Sequence, residues 1–307
     1  MIANFFNKTK PINFIFLSVL MTIVYIIGNQ VIVINDITFN YILKKIFFLF
    51  LLILSIFIIN FIIRKNILTD DNSFALLFYI LLFGIFPFSF SDGNVLASNL
   101  ILLFAYRRIY SLRSVLKPKE KIFDSAFWIG LASLFYVWSF LYLFLLFFAI
   151  FIFNKLSWKN ILIPFIGWIT PVFLFYTYLL LIGDLSFFDD YWKLLYNFGF
   201  YNYLDYKLLV PISFLIFFGL FAIPAITQKN LLAKIDFKST WFVLLAHIIT
   251  SLIIVLIAPI KNGSEFSFLF FPLSILYANY LQITEKYWLK ELVLFNFFIL
   301  LIVVYFL

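Results

Sequence analysis

Apolar residues come in runs long enough to cross a hydrocarbon layer of about 30 Å, and short polar clusters separate them. The pattern predicts helices near 11–29, 40–63, 73–91, 94–110, 161–183, 208–226, 240–258, 266–282 and 291–307. The stretch 124–153 does not fit. As one helix it would be about 45 Å long and could fit only by tilting or by extending beyond the membrane. A break near Val137–Ser139 would instead give two short helices that enter and leave on the same side.

Charge chooses between these options, because they invert every later loop. Cytoplasmic loops carry the excess of Lys and Arg. With Lys8 and Lys10 inside, the first four spans also place Arg64, Lys65, Arg107, Arg108, Arg113, Lys117, Lys119 and Lys121 inside. The re-entrant pair adds Lys155, Lys159, Lys229, Lys234, Lys238, Lys286 and Lys290 to that side and leaves Lys193, Lys207 and Lys261 outside. A single crossing reverses the ratio. The expected fold is therefore all-α: a polytopic transmembrane helix bundle of about nine full spans plus the broken pair near 124–153, with a cytoplasmic N-terminus. Residues 1–307 form one integral membrane domain on this reading. The opening MIANFFNKTK resembles a signal-peptide n-region, but no small-residue cleavage site follows, so we read a retained first span.

Composition agrees. Of the residues 65% are apolar and 12% charged, against roughly a quarter charged in a soluble domain. Without a soluble head, any chemistry must occur within or beside the bilayer. There are no cysteines, which excludes disulfides and thiolate sites. The net charge of +8 is accounted for by cytoplasmic loops. The cluster RRIYSLRSVLKPKEK accordingly reads as an inner-leaflet anchor and not a nucleic-acid groove. A composition rich in Phe, Ile, Lys and Asn suits an AT-rich genome, and the expected location is the bacterial inner membrane.

A charge at the bilayer centre costs about 2.5 kcal/mol or more, so polar residues near helix ends are the best functional pointers. They gather on the outer side. Asn35 and Asp36 lie in the first outer loop, Lys44 and Lys45 begin the second span, and Asp92, Gly93 and Asn94 follow the third. Asp184, Asp189, Asp190 and Asp205 fall in the aromatic segment 184–207, whose spacing suggests a helix lying in the interface. Lys261, Asn262, Ser264 and Glu265 occupy the last outer loop. Plain structural roles are available for several of these: a turn at Asp92–Asn94, a helix N-terminal charge pair at Asp189–Asp190, and snorkelling at Lys44 and Lys45. His247 reads either as a hydrogen-bonded core histidine or as a proton carrier. Catalytic triads, phosphate-cradling glycine loops and metal-ligand clusters are absent from the sequence, so neither a cofactor nor a metal is expected.

The segments NFFNKTKPINF, KIFDSAFWIGLASLFYVWS and IAPIKNGSEFSFLFFPLSI resemble those of a flavobacterial family of polytopic membrane proteins that has no assigned activity. More loosely, the middle of the chain resembles the GT-C class of membrane glycosyltransferases. In that class a basic cytoplasmic loop precedes two short helices with a glycine-leucine-alanine turn, here Gly130-Leu131-Ala132. The resemblance implies a polyprenyl-linked sugar as substrate, Asp36 as catalytic base, and Lys44, Lys45 and Lys261 as holders of the lipid phosphate. Asp92, Asp189, Asp190 and Glu265 are read from their place in the outer loops, apart from this resemblance, as outer-face polar or docking residues. The competing reading is a non-enzymatic subunit or scaffold of an envelope complex, with membrane lipid and other envelope proteins as partners. A secondary transporter would instead show inverted repeats and midplane ionisable pairs.

Overall fold

The computed structural model describes residues 2–31, 39–184, 186–191, 193–231 and 235–307. Among these residues every regular element is helical. In chain order they are α1 (Ile2–Phe6), α2 (Pro11–Val31), α3 (Phe39–Asn66), α4 (Phe74–Ile85), α5 (Gly93–Ser111) and α6 (Pro118–Phe135). There follow α7 (Tyr142–Ile152), α8 (Trp158–Ile182), α9 (Ser186–Tyr191), α10 (Tyr206–Leu231), α11 (Ile235–Ile257), α12 (Ser267–Ile283) and α13 (Tyr287–Phe306). Short 3-10 turns cover Pro87–Phe90, Val137–Leu141, Tyr201–Leu204 and Ser264–Phe266. The chain forms two compact units: Met1–Gly93 with Gly199–Lys234 and Lys261–Leu307, and Asn94–Phe198 with Ile235–Ile260.

Seven of the described helices are long and apolar enough to cross a membrane, the pattern of a multi-pass membrane protein. They are Pro11–Gln30, Phe39–Asn66, Trp158–Ile182, Tyr206–Lys229, Lys238–Ile257, Ser264–Ile283 and Tyr287–Phe306. Each coincides with an expected span. The remaining two expected full spans take other forms. Segment 73–91 is the 12-residue α4 followed by a 3-10 turn, about 18 Å of helix where about 30 Å is needed. Segment 94–110 is α5, which has the length but is more polar than the seven, with Asn94, Ser98, Asn99, Arg107 and Arg108 on it.

The apolarity of α4 has a different origin from that of a lipid-facing span. All of its residues are buried, against α2, α12 and α13 in the first unit. A helix that is apolar on every face and enclosed by other helices is the centre of a core. Lipid tails are as apolar as leucine, so helices in a bilayer associate through close packing and not through expulsion of water. Phenylalanine supplies that packing here. Phe78 meets Tyr277 at 5.6 Å and Phe297 at 4.9 Å, and Phe83 meets Phe270 at 4.7 Å, all edge to face. Each such contact contributes about 0.5–1.5 kcal/mol beyond burial.

The two ends of this unit differ in character. At the N-terminal end, the Ser73 amide donates to the Phe6 carbonyl at 2.9 Å, Asn13 donates to the Ser73 hydroxyl at 3.2 Å, and the Ala3 amide donates to Glu291 at 3.0 Å. Asn279 donates to the Leu68 carbonyl at 3.2 Å. These bonds tie α1, the start of α2, the 66–73 turn, the end of α12 and the start of α13 together. Lys8, Lys10, Arg64, Lys65, Lys286 and Lys290 therefore share one end. The turns at 87–93, 200–206 and 261–266 lie at the other.

In the second unit, stretch 124–153 is two helices. Helix α6 stops at Tyr136, whose backbone is extended (φ −142°, ψ 105°), and a 3-10 turn over Val137–Leu141 leads into α7. Neither glycine nor proline makes this break; hydrogen bonds satisfy it. Ser98 Oγ donates to the Ala132 carbonyl at 3.1 Å and meets Ser139 Oγ at 2.7 Å, while the Ser139 amide donates to the Tyr136 carbonyl at 2.9 Å. Interrupted backbone is tolerated at membrane depth only where the protein supplies such partners. The expected turn at Gly130-Leu131-Ala132 is overturned: all three residues are helical, inside α6. Gly130 serves packing instead. A Cβ there would lie 2.4 Å from the Trp168 carbonyl oxygen, and one on Gly167 would lie 2.7 Å from Ala126 Cβ, so α6 and α8 touch backbone to backbone. The interfacial helix expected over 184–207 is also corrected. Among the described residues of this stretch the helical ones are the six-residue α9, the 3-10 turn at Tyr201–Leu204 and the first two residues of α10, and 194–200 has no regular structure.

Candidate functional site

The polar groups at the far end of the first unit are organised around the sequence IAPIKNGSEF. Gly263 has φ +99°, a left-handed conformation that favours glycine, and a Cβ there would sit 2.8 Å from Leu208. Beyond this reversal the Asn262 side-chain oxygen accepts from the Ser264 amide at 3.0 Å and hydroxyl at 2.7 Å, capping the 3-10 turn. That places Glu265 beneath Gly263, whose amide donates to Oε2 at 3.0 Å, while the Tyr203 hydroxyl donates to Oε1. Replacing Gly263 by alanine is expected to lower stability by about 1–2 kcal/mol, through strain plus the Leu208 contact. Gly219→Ala, where a Cβ meets nothing within 4 Å, should leave the detergent melting temperature unchanged or slightly raised.

Lys261 completes the cluster. Like Glu265 it is only 1% exposed. Its ammonium lies 4.7 Å from the Phe200 ring centroid and 5.4 Å from that of Tyr203, and its carbonyl accepts from Asn202 at 3.1 Å. Aromatic faces stabilise a desolvated cation. Burial holds the Lys261 ammonium below the ordinary lysine value, and neighbouring Glu265 pulls the other way.

Above this base opens a cleft of about 600 Å³ lined by Tyr201, Asn202, Asp205, Tyr206, Lys261 and Asn262, with Phe88, Leu204 and Leu208 closing it. Tyr201 and Tyr206 are 84% and 71% exposed, so their rings form the rim. Asp205 begins α10: its carboxylate accepts from the Lys207 amide at 3.2 Å, and its carbonyl accepts from the Leu208 amide at 2.9 Å. Flat rings beside amides and a carboxylate can stack on a ligand and hydrogen-bond its edge, above a roofed positive charge.

The sequence candidates fall into three groups. Lys261 and Glu265 are brought together, with Asn262 bonded to Ser91 at 3.1 Å beside the half-buried Asp92. Lys44 and Lys45 stay on α3. Lys44 is exposed, and Lys45 donates to Asn29 and lies 5.4 Å from the Tyr41 ring centroid. Asp36 and its neighbour Asn35 lie outside the described residues, and of Asp189 and Asp190 only the backbone, in α9, is described.

Sequence reading missed Phe200, Asn202 and Tyr203 as partners of this loop. Their only signal was membership of the aromatic segment. In the second unit, fully buried His247 lies 3.1 Å, through Nδ1, from the Tyr110 hydroxyl and packs 4.2 Å from the Tyr106 ring. Ser251 Oγ donates to the His247 carbonyl at 2.9 Å and meets the Tyr142 hydroxyl at 3.0 Å. His247 is thus hydrogen-bonded within a packed core.

Residues 8–307 match the model of a family of unknown function (DUF6427), and the chain belongs to that family. No curated protein and no solved structure matches the chain.

Proposed function

We propose that this member of the family is a multi-pass protein of the bacterial inner membrane that transfers a sugar from a polyprenyl-phosphate carrier, in the manner of GT-C class glycosyltransferases. The observation that carries this reading is the cleft: exposed Tyr201 and Tyr206 rings beside Asp205, Asn202 and Asn262 suit the stacking and hydrogen bonding that a pyranose ring requires. The basic end of the first unit supports a cytoplasmic N-terminus and an outer-facing cleft, by the positive-inside rule. On this reading the sugar occupies the cleft and the Lys261 charge adds positive potential beneath it. The Asp36 carboxylate, assigned from sequence, takes the proton of the acceptor hydroxyl. The acceptor oxygen bonds to the anomeric carbon as the carbon–oxygen bond to phosphate breaks, and the phosphate departs on its polyprenyl chain.

The test is mass spectrometry of lipid retained by protein extracted in native lipid. Wild type should retain a saccharide-bearing polyprenyl phosphate, and Tyr201→Ala with Asp205→Asn should cut retention about tenfold or more, the loss expected when a stacking ring and a charged hydrogen bond are both removed. Asp36→Asn should retain the lipid yet fail to pass its sugar to acceptor. The second reading is a scaffold of an envelope complex, favoured by the exposed Leu195, Tyr196 and Phe198 of the second unit. Wild type devoid of lipid-linked saccharide but co-purifying with a membrane protein would replace the first reading by the second.

A further inference from the structure

The turn between α5 and α6 has a construction that neither span packing nor the cleft uses. Its base is pinned: Leu112 is fully buried, and the buried Lys121 reaches back from α6 to donate to the Ser111 carbonyl at 2.8 Å and to the Ser114 hydroxyl. Its far side is set by Lys117, which adopts the left-handed conformation (φ 47°, ψ 55°) and pairs with Glu120 at 3.0 Å. Between these fixed points the two tip residues, Val115 and Leu116, are 79% and 75% exposed. Arg113, Lys117 and Lys119 flank them, and Arg108 pairs with Asp124 at 2.8 Å below. Two bare aliphatic side chains on a braced turn, ringed by cations, match the boundary between acyl chains and anionic headgroups.

We propose that residues 112–118 form an insertion turn for anionic phospholipid: Val115 and Leu116 enter the acyl boundary while Arg113, Lys117 and Lys119 meet headgroup phosphates. A protein partner is the weaker occupant. Two side chains are far from the roughly 800 Å² per partner of a stable protein interface, whereas a lipid surface needs only the tip and the charges around it. Lys121 acts as a positioning residue that braces the turn.

The chain contains no cysteine, so Leu116→Cys gives a unique site for an environment-sensitive fluorophore on the full-length protein. The labelled protein would be reconstituted in vesicles of phosphatidylcholine alone or mixed with phosphatidylglycerol. Quenching by shallow doxyl lipid would then be compared with quenching by aqueous iodide. The expected result is lipid quenching in the mixed vesicles and iodide quenching in the zwitterionic ones. Lys117→Gln and Lys119→Gln should each lower the inserted-to-free ratio about fivefold, the equivalent of roughly 1 kcal/mol per basic residue. Iodide quenching in both vesicle types overturns insertion. Equal lipid quenching in both overturns the role of the anionic headgroup.

Discussion

Gly130→Val is expected to cost the second unit at least about 3 kcal/mol, enough to shift most of the protein into aggregate on detergent extraction. Even the first carbon of a side chain at Gly130 would lie 2.4 Å from the Trp168 carbonyl oxygen and 2.6 Å from the Pro171 ring. Neither neighbour can yield. One is helix backbone, and the other is a proline inside α8, which also contains Pro164. Helices that approach this closely depend on small residues at the crossing, because backbone contact replaces the water-driven association absent in lipid. Gly167→Val should act similarly, since its Cβ would lie 2.9 Å from the Phe123 carbonyl oxygen. Size-exclusion profiles and melting temperatures of the two variants would check this. A Gly130→Val protein as monodisperse and heat-stable as wild type would refute the close crossing.

Glu265→Ala is expected to destabilise the first unit by about 3–5 kcal/mol, the usual cost of stripping one partner from a buried charged cluster. The change leaves the Tyr203 hydroxyl and the Gly263 amide without their acceptor and removes the carboxylate that stabilises the nearly inaccessible Lys261. The informative measurement is a double-mutant cycle. Removing Lys261 as well, as Lys261→Met, should recover part of the loss, because the favourable influence of the carboxylate on that ammonium is no longer missed. Glu265→Gln should fall between, since it keeps an acceptor but not the charge. Melting temperatures for the four proteins in one detergent decide the matter. Strict additivity of the two substitutions would show that Lys261 and Glu265 do not interact.

The cleft was legible only in part. Lys261 and Glu265 stood out because charges beside membrane spans are costly, and that reasoning is local. Their partners were not legible, since Tyr203 and Asn202 reach them across 62 and 59 residues of chain. Nothing in the sequence near Tyr203 distinguishes it from the other tyrosines of its segment. The break after α6 shows the same division. Charge placed an interruption near Val137–Ser139, and the structure has one over Tyr136–Leu141. The partner that makes it affordable, Ser98, lies on α5, 41 residues before Ser139. A motif misled at Gly130-Leu131-Ala132, where a glycine that permits helix contact resembles one that makes a turn.

The sequence by itself determined that the chain is an all-helical, multi-pass membrane protein, where most of its helices lie, and which loops carry the cations. Hydropathy and charge are sums over neighbouring residues, so a linear reading captures them. Only the tertiary structure decided which apolar helices face lipid and which face protein. The most apolar window of α8 is 22% buried, that of the segment ending α12 is 78% buried, and α4 is enclosed entirely. Leaving water stabilises an apolar side chain by the same amount whether its destination is an acyl chain or another helix. Hydropathy therefore cannot separate the two, and side-chain contacts between distant segments must.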